Sequence, residues 1–250
     1  MHILVTRPAE DAAALTRTLE AAGHRVTLAP MMIIRPEPVT TINLEGCQAL
    51  VFTSANGVRA FAAISADRAL PVIAVGDATA RTARAAGFTQ IDTAAGEVHS
   101  LAALIIDTRD PAKGPLFHAA GHIVAGDLGG LLQPHGFTLR RQVLYRAEAV
   151  TALPAPAIKA LDHDQPDIAL FYSPRTARIF MDLVDTAGRL NRLQNITAGA
   201  LSEAVTKALE SGSWPLQSPL WHRIVTAAEP AEVALLGALD LLTSKGDFDT

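Results

Sequence analysis

Two segments of this chain resemble each other, and the repetition limits the folds that it can adopt. Each copy begins with a short apolar run, which predicts a buried strand. A hydroxyl residue follows where a helix N-cap would lie, and a segment with helical periodicity comes next. Open α/β sheets bind ligands at the carboxyl ends of their parallel strands, so the repetition predicts two such edges that face one ligand. The copies are residues 50–61 and 170–180, in which Phe52, Ser54, Arg59 and Phe61 correspond to Phe171, Ser173, Arg178 and Phe180.

Length and composition indicate a globular protein of two domains. The chain has 250 residues, of which 49% are hydrophobic. It is therefore longer than a typical single domain and has enough apolar residues for two cores. The net charge of −4 differs from the basic surface that nucleic-acid-binding proteins present, so we expect no nucleic acid partner.

Cysteine usage and hydropathy narrow the class further. The single cysteine, Cys47, excludes an intrachain disulfide framework and a metal site built on cysteines. Residues 1–8 lack the long apolar core of a signal peptide, and no later apolar run reaches membrane-spanning length. We therefore expect a cytoplasmic protein with no membrane partner.

Predicted strands and helices alternate along the chain, as in α/β proteins. Core spacing is seen for Leu15 and Leu19 in the first helix and for Val233, Leu236 and Leu239 in the last. Residues 77–79 are predicted to cap the third helix. The predicted strands are residues 2–5, 26–29, 50–52, 71–76, 89–92, 115–118, 137–145, 167–171, 196–199 and 221–225, and the predicted helices are residues 9–22, 55–65, 77–87, 97–107, 127–133, 174–185, 202–210 and 229–243.

The internal similarity extends beyond the first pair of segments. A β-α-β unit is followed by a longer α/β run, and this pair of segments then occurs a second time. In a tandem arrangement, each unit forms a domain with the run that follows it. In a nested arrangement, the first unit and the last run form one domain, and the two segments between them form the other; both arrangements fit this order. Proline-rich stretches at residues 30–38 and 150–156 favour nesting, because a nested chain must cross between its domains there. The further corresponding segments are residues 73–79 with 196–202, and residues 3–23 with 116–136.

Nested wiring gives one discontinuous domain and one inserted domain. The first comprises residues 1–35 and 150–250, and the second comprises residues 39–142. Residues 36–38 and 143–149 then form a two-stranded linker between the domains. Two crossing strands that lie side by side would act as a hinge.

Together, the segments resemble those of the uroporphyrinogen-III synthase family. No single segment is diagnostic, but their joint order along nearly the whole chain is specific. The resemblance implies two flavodoxin-like α/β domains with parallel sheets, one inserted in the other, joined by a two-stranded linker, with the substrate in the cleft. The matching segments are residues 4–8, 51–58, 75–80, 144–147, 171–174 and 200–204.

The same resemblance implies a lyase of haem biosynthesis that acts as a monomer, without cofactor or metal. Such an enzyme closes the linear tetrapyrrole hydroxymethylbilane to uroporphyrinogen III, with loss of water and inversion of ring D. The upstream deaminase is then a transient partner. The many carboxylates of the substrate suit backbone N–H groups, hydroxyls and arginines at strand ends. The sequence supplies such groups, and it shows no histidine, cysteine and carboxylate cluster for metal or nucleophilic catalysis.

Tyr145 lies on the predicted linker strand, where the family's proposed acid tyrosine lies. From the residues alone, packing at the domain junction is the simpler interpretation. The resemblance implies instead a phenol that faces the cleft and assists the departure of hydroxide. Because phenols are weak acids, with an ordinary pKa of about 10, we expect Tyr145 to assist the step rather than to dominate it.

Hydroxyl residues at the predicted strand ends are candidate carboxylate ligands. Thr79 and Ser202 occupy matching positions in the two halves and match the family's cleft threonines, and helix N-capping is the alternative function of each. Thr53, Ser54 and Ser173 have the same two interpretations. We expect backbone N–H groups to supply most of the binding at these positions.

The arginines divide by their distance from the predicted strand ends. Arg7 and Arg175 stand at strand ends, where contact with an anionic substrate and exposure to water are equally compatible with the sequence. Arg59 and Arg178 lie further along their helices, so we expect them on the surface. Tyr172 is expected to be a packing residue.

Gly121 begins a predicted loop, residues 121–127, where this chain departs from the family. The family usually carries a basic residue there, so either His122 replaces it or the carboxylate contact is absent. The remaining histidines are scattered, and we expect them on the surface. The glycine-rich stretch at residues 126–130 lacks the P-loop lysine and the dinucleotide-binding spacing, which indicates only a flexible helix start.

Two other functions are compatible with the sequence. A non-enzymatic binding protein whose two domains close on a small anion would have the same hinge and the same strand ends. A two-domain transferase that uses a nucleotide-activated donor is disfavoured, because no phosphate loop or acidic ribose anchor stands out.

Overall fold

The computed structural model describes residues 1–123, 126–212 and 220–242. The chain divides into two compact units, each built around its own sheet. Unit 1 comprises Met1–Ile33 and Glu148–Thr250, and unit 2 comprises Ile34–Ala147. The two segments of unit 1 therefore flank unit 2 in the sequence.

Strands and helices alternate along most of the described chain. The strands are β1 (His2–Val5), β2 (Arg25–Leu28), β3 (Met32–Pro36), β4 (Ala49–Phe52), β5 (Val72–Ala74), β6 (Ile91–Thr93), β7 (Leu116–Gly121), β8 (Leu139–Ala149), β9 (Ile168–Phe171), β10 (Thr197–Ala200) and β11 (Arg223–Thr226). The α-helices are α1 (Ala9–Ala21), α2 (Ala55–Ile64), α3 (Asp77–Ala85), α4 (Val98–Thr108), α5 (Leu128–Leu132), α6 (Ala155–Lys159), α7 (Pro174–Thr186), α8 (Glu203–Glu210) and α9 (Glu232–Ala238).

The sheet of unit 1 has the strand order β2-β1-β9-β10-β11, and all of its pairs are parallel. Strand β1 pairs with β9 in a register that sets Ile3 beside Ile168 and Val5 beside Leu170. The first and last parts of the chain therefore share one sheet. This pairing confirms the nested wiring and excludes the tandem alternative.

The sheet of unit 2 has the strand order β3-β8-β7-β4-β5-β6. The pairs from β8 to β6 are parallel. In each unit the parallel strands have the spatial order 2-1-3-4-5, which is the flavodoxin-like order. The first strand in this numbering is β1 in unit 1 and β7 in unit 2. The sequence repeat is therefore a repeat of topology, and the predicted fold class is confirmed.

Strands β3 and β8 are neighbours at one edge of the unit 2 sheet. Two bonds along this edge show that they run antiparallel: the Glu37 N–H donates to the Leu144 carbonyl at 2.9 Å, and the Val150 N–H donates to the Met31 carbonyl at 3.1 Å. The proline-framed segment at residues 30–38, predicted only as extended, thus contains a strand. Pro36 ends it, where a missing N–H costs no ladder bond.

Paired aromatic residues anchor both cores, at corresponding positions of the repeat. In unit 2 the rings of Phe52 and Phe61 lie 5.7 Å apart, and in unit 1 those of Phe171 and Phe180 lie 5.1 Å apart. All four rings are fully buried. Each strand–turn–helix segment thus fixes its helix to the sheet with the same edge-to-face ring contact.

Two segments differ from the sequence prediction. The proline-framed stretch after residue 150 contains α6, followed by a π-helical turn at Ala160–Asp164; proline is tolerated in a first helical turn, which explains the helix. The last helix spans only Glu232–Ala238, since Pro230 precedes it and Asp240 adopts a positive φ of 55° after it. Val233 is 71% exposed rather than buried, and residue 243 lies outside the described residues.

Gly57 allows α2 to pack directly on the backbone of the sheet. A Cβ atom at this position would lie 2.6 Å from the carbonyl oxygen of Ala119, and backbone cannot move aside as a side chain can. We expect Gly57→Ala to lower the free energy of unfolding by about 1–3 kcal/mol, measured by urea denaturation. Gly237→Ala is the matched control, because nothing lies within 4 Å of its added Cβ; equal stability of the two variants would contradict the prediction.

Candidate functional site

Ser54 closes the turn between β4 and α2 in unit 2. Its backbone is extended and its hydroxyl oxygen accepts a hydrogen bond from the Gly57 N–H at 3.1 Å. Ser173 has the same geometry before α7, where its hydroxyl oxygen accepts from the Thr176 N–H at 3.1 Å. The N-caps expected at these two positions of the repeat are confirmed.

The phenol of Tyr145 lies beside this turn. Its hydroxyl is 2.7 Å from the hydroxyl of Ser54, so the two groups share one hydrogen bond. Tyr145 is only 9% exposed, and its carbonyl accepts from the His122 N–H at 2.9 Å. A phenol fixed in this way has its oxygen in a defined position at the carboxyl end of a parallel strand.

Gly121 makes room for that phenol. It is the last residue of β7 rather than the first residue of a loop, and the ladder between β7 and β8 is irregular at this point. A Cβ atom on Gly121 would lie 2.8 Å from the Tyr145 ring carbon Cζ and 2.9 Å from its hydroxyl oxygen. Any larger residue would therefore displace the phenol from Ser54.

Thr53 lies one residue before Ser54 and contacts a buried histidine. Its hydroxyl is 3.0 Å from Nε2 of His118, on the neighbouring strand β7. His118 is only 2% exposed, and His2 and His24 are also buried. The surface placement expected for the scattered histidines is wrong for these three, because His2 and His118 lie in the buried strands β1 and β7 and the His24 ring is 3.1 Å from the Leu241 carbonyl oxygen.

Burial lowers the pKa of His118 from 6.5 to about 4, and the nearby guanidinium of Arg141 acts in the same direction. Both causes disfavour the imidazolium, one by removing water and the other by charge repulsion. His118 is therefore neutral in the folded protein at physiological pH.

This shift makes the stability of the protein depend on pH. Between about pH 6.5 and pH 4 the unfolded chain binds a proton at His118 that the folded chain does not, so stability is present above this window and is lost as the pH falls through it. We expect a loss of roughly 3 kcal/mol in the free energy of unfolding from this residue. His118→Gln should remove that slope, measured by urea denaturation at several pH values, whereas His99→Gln, at an exposed position, should retain it.

Thr79 is not the cap of its helix. Helix α3 begins at Asp77 with Gly76 as the N-cap residue, so the capping predicted for residues 77–79 is wrong. Gly76 adopts the extended conformation of an N-cap and a glycine is tolerated there. Thr79 instead lies in the first helical turn, 4% exposed, after the strand β5 that pairs with β4.

In unit 1, Arg7 is held by two neighbours at the end of β1. Its guanidinium forms an ion pair with Glu232 at 2.7 Å, and its Cζ lies 4.4 Å from the centre of the Tyr172 ring. Burial and the Glu232 carboxylate raise the pKa of Tyr172. Tyr172 is thus a packing residue, as expected. Its ring contacts the guanidinium of Arg7 and thereby orients it.

The other predicted residues of unit 1 follow the neighbouring strands. Ser173 comes after β9, and its hydroxyl is also 2.7 Å from that of Thr176. Arg175 is exposed in the first turn of α7. Ser202 precedes α8 as its N-cap residue, but its hydroxyl makes no capping bond. Because β1, β9 and β10 are adjacent and parallel, Arg7, Ser173 and Ser202 lie at one edge of the sheet.

The first turns of the helices supply donors at both edges. The first N–H groups of an α-helix have no partner within it and favour anions. Helices α2 and α3 begin at the edge of the unit 2 sheet, and α7 and α8 begin at that of unit 1. Each edge therefore combines hydroxyls, an arginine or phenol, and helix starts, a donor set suited to carboxylates.

Two further properties concern the described residues as a whole. In residues 1–123, 126–212 and 220–242, no group of three or more histidine, cysteine, aspartate or glutamate side chains is arranged to hold a metal ion. None of the helices in these parts of the chain has both the length and the hydropathy that crossing a bilayer requires.

Comparison with known proteins identifies the family. The family model for Uroporphyrinogen-III synthase HemD matches residues 13–219 of the chain. This chain belongs to the uroporphyrinogen-III synthase family. The family is one of haem-biosynthesis enzymes, so the resemblance and the enzyme function expected from the sequence are confirmed. Among curated protein sequences, none matches the chain.

Solved structures of uroporphyrinogen-III synthases share the fold. The crystal structure of uroporphyrinogen-III synthetase from Helicobacter pylori has a TM-score of 0.62 at 18% sequence identity, over 96% of this chain and 99% of that chain. A mutant uroporphyrinogen III synthase from Thermus thermophilus has a TM-score of 0.52 at 17% identity, over 97% of this chain and 98% of that chain. The common architecture spans both units.

Proposed function

We propose that this member of the uroporphyrinogen-III synthase family acts as a cyclising hydro-lyase. Its substrate is hydroxymethylbilane, and its products are uroporphyrinogen III and water. The observation that carries the proposed site is the phenol of Tyr145, held 2.7 Å from the Ser54 hydroxyl at the strand edge of unit 2.

In this proposal Tyr145 assists the first chemical step. Its phenol donates a proton to the hydroxyl that leaves ring A, and the electron-rich pyrrole expels water to give the azafulvenium cation, which leaves Tyr145 as the phenolate. Ring D then attacks through its substituted carbon to form a spiro intermediate, which rearranges and closes. The proton lost from the unsubstituted ring D carbon at closure balances the proton that Tyr145 donated.

The remaining residues bind and orient the substrate. Arg7 and Arg175 supply cations, and Gly121 supplies the space that the phenol needs. We propose that backbone N–H groups of the helix starts bind most of the carboxylates, so that alanine substitutions of the hydroxyl residues have small effects. These hydroxyl residues are Thr53, Ser54, Thr79, Ser173 and Ser202.

The hydrogen-bonded pair of strands β3 and β8 supports the interdomain linker predicted at residues 36–38 and 143–149. We propose that the boundaries lie at residues 1–35 with 150–250 for one domain and at 39–142 for the other. The enzyme is proposed to be a cytoplasmic monomer. Its substrate closes spontaneously, which favours direct transfer from the upstream deaminase in a transient contact.

The proposed function is tested by the isomer of the product. Freshly made hydroxymethylbilane is incubated with the protein, the products are oxidised, and the uroporphyrin isomers are separated by chromatography. Uncatalysed closure gives isomer I, so the proposal expects isomer III with the protein and isomer I without it. Isomer I alone in both samples would reject the assignment.

A further inference from the structure

Unit 2 contains a cavity lined by Thr53 and by residues to which the proposed function gives no role. Its volume is about 150 Å³, comparable to a cavity that admits a ligand the size of benzene. It lies between the sheet and the first residues of α4 and α5. The side chains on which the following argument rests are Thr53, Val98, His118, Leu128, Leu139 and Arg141.

His118 lines this cavity and has an unsatisfied polar atom. Its Nε2 lies 3.0 Å from the Thr53 hydroxyl, but its Nδ1 is buried and has no hydrogen-bond partner in the described residues. A buried nitrogen without a partner is costly. If the Thr53 hydroxyl donates to Nε2, the neutral ring carries its proton on Nδ1. Nδ1 is then a hydrogen-bond donor without an acceptor.

Arg141 adds a positive charge at the same cavity. Its Nη2 donates to the carbonyl oxygens of Gly121 at 2.8 Å and His122 at 3.3 Å, which hold the guanidinium in place. Within residues 1–123, 126–212 and 220–242, no carboxylate forms an ion pair with it. The guanidinium next to His118 can therefore still form an ion pair, and an anion would be attracted to it.

The other residues that line the cavity determine which kind of anion it can bind. Asp127 also borders the cavity, but it is exposed and its Oδ1 accepts from the Gly130 N–H at 2.9 Å. Its charge is therefore screened by water. Val98, Leu128 and Leu139 provide an apolar wall, which suits an alkyl group rather than a bare inorganic ion.

We propose that this cavity binds a short-chain carboxylate of about the size of propionate. Its carboxylate oxygens accept hydrogen bonds from Arg141 and from Nδ1 of His118, and its alkyl chain packs on Val98 and the two leucines. Propionate has about five non-hydrogen atoms, which fit a volume that holds about six in benzene. The carboxylate comes from one of two sources, a side chain of the tetrapyrrole or a free acid.

Titration with propionate tests the site without any turnover. The imidazole ¹⁵N resonances of His118 are assigned by comparison with His118→Gln, and propionate is added at constant pH and ionic strength. We expect a saturable shift of the His118 resonances, and about tenfold weaker binding in Arg141→Gln because a charge-assisted contact is lost. Propionamide, which lacks the charge, should give no saturable shift.

Two controls make the result specific. Arg140→Gln removes a guanidinium from the adjacent position of β8, where it donates to the carbonyls of Asn43 and Glu45, and should bind propionate as the unaltered protein does. Val98→Phe fills the cavity without altering charge and should abolish binding. No saturable shift in the unaltered protein, or equal weakening in Arg140→Gln and Arg141→Gln, would overturn the proposal.

Kinetics with hydroxymethylbilane then separate the two sources. If a side chain of the substrate occupies the cavity, propionate competes with the substrate, and Arg141→Gln raises KM more than it lowers kcat. If a free acid occupies it, propionate leaves KM for hydroxymethylbilane unchanged. This comparison rests on the proposed function, whereas the titration does not, so failure of one is distinguished from failure of the other.

Discussion

Tyr145→Phe is expected to lower kcat for isomer III formation roughly tenfold, less than the about hundredfold or greater effect of a full general acid. The substitution removes only the phenolic oxygen that lies 2.7 Å from Ser54. The leaving hydroxyl then has to take its proton from water. Because the ring itself stays, KM and the stability of unit 2 should change little.

The control for this experiment removes a hydroxyl from unit 1, at the opposite end of α7 from Ser173. Thr186 is exposed at the end of α7, where its hydroxyl donates to the Asp182 carbonyl, and Thr186→Val should keep full activity. Initial rates of isomer III formation are compared for the three proteins. If Tyr145→Phe retained more than half of the activity, the phenol would have no part in the loss of hydroxide.

Phe180→Ala is expected to produce the largest loss of stability, about 3–5 kcal/mol in the free energy of unfolding. The ring is fully buried, lies 5.1 Å from Phe171, and stacks on Trp221 at 6.1 Å. Truncation removes both ring contacts and leaves a cavity that a close-packed core fills only in part. Urea denaturation followed by circular dichroism measures the loss.

Arg178→Ala is the matched control on the same helix. Its side chain is exposed, so its removal should change the free energy of unfolding by no more than about 0.5 kcal/mol. A loss below about 1 kcal/mol in Phe180→Ala would mean that Phe171 and Trp221 repack around the gap, and that the aromatic pair of the repeat does not anchor α7.

Several predictable parts of the fold have local signals in the sequence. The turn at Ser54 is an example: an apolar run, a hydroxyl residue and a helical period are adjacent in sequence, and each acts on its immediate neighbours. The nested wiring was predictable from two features together. The repeat limits the possible arrangements to two, and the prolines at residues 30–38 and 150–156 lie where a nested chain crosses between its domains. Ser173 gave the same signal a second time.

The parts that sequence reasoning missed depend on distant partners. Arg7 meets Glu232 across more than two hundred residues, and neither residue has a local feature that indicates the other. The burial of His118 was also missed, although the sequence contains a signal for it. His118 lies between Phe117 and Ala119 in an otherwise apolar strand, and a polar residue at such a position faces a core. The N-cap of α3 is Gly76 and not Thr79. Several residue types are compatible with an N-cap position, so the sequence did not determine which residue occupies it.

The isomer ratio at low protein concentration tests the central claim most directly. With protein at about one hundredth of the hydroxymethylbilane concentration, a catalyst should convert most of the substrate to isomer III, because each molecule turns over many times. A non-enzymatic binding protein diverts at most one equivalent, so isomer I would then predominate. Predominant isomer III is the predicted result, and an isomer III yield no greater than the amount of protein would contradict the account.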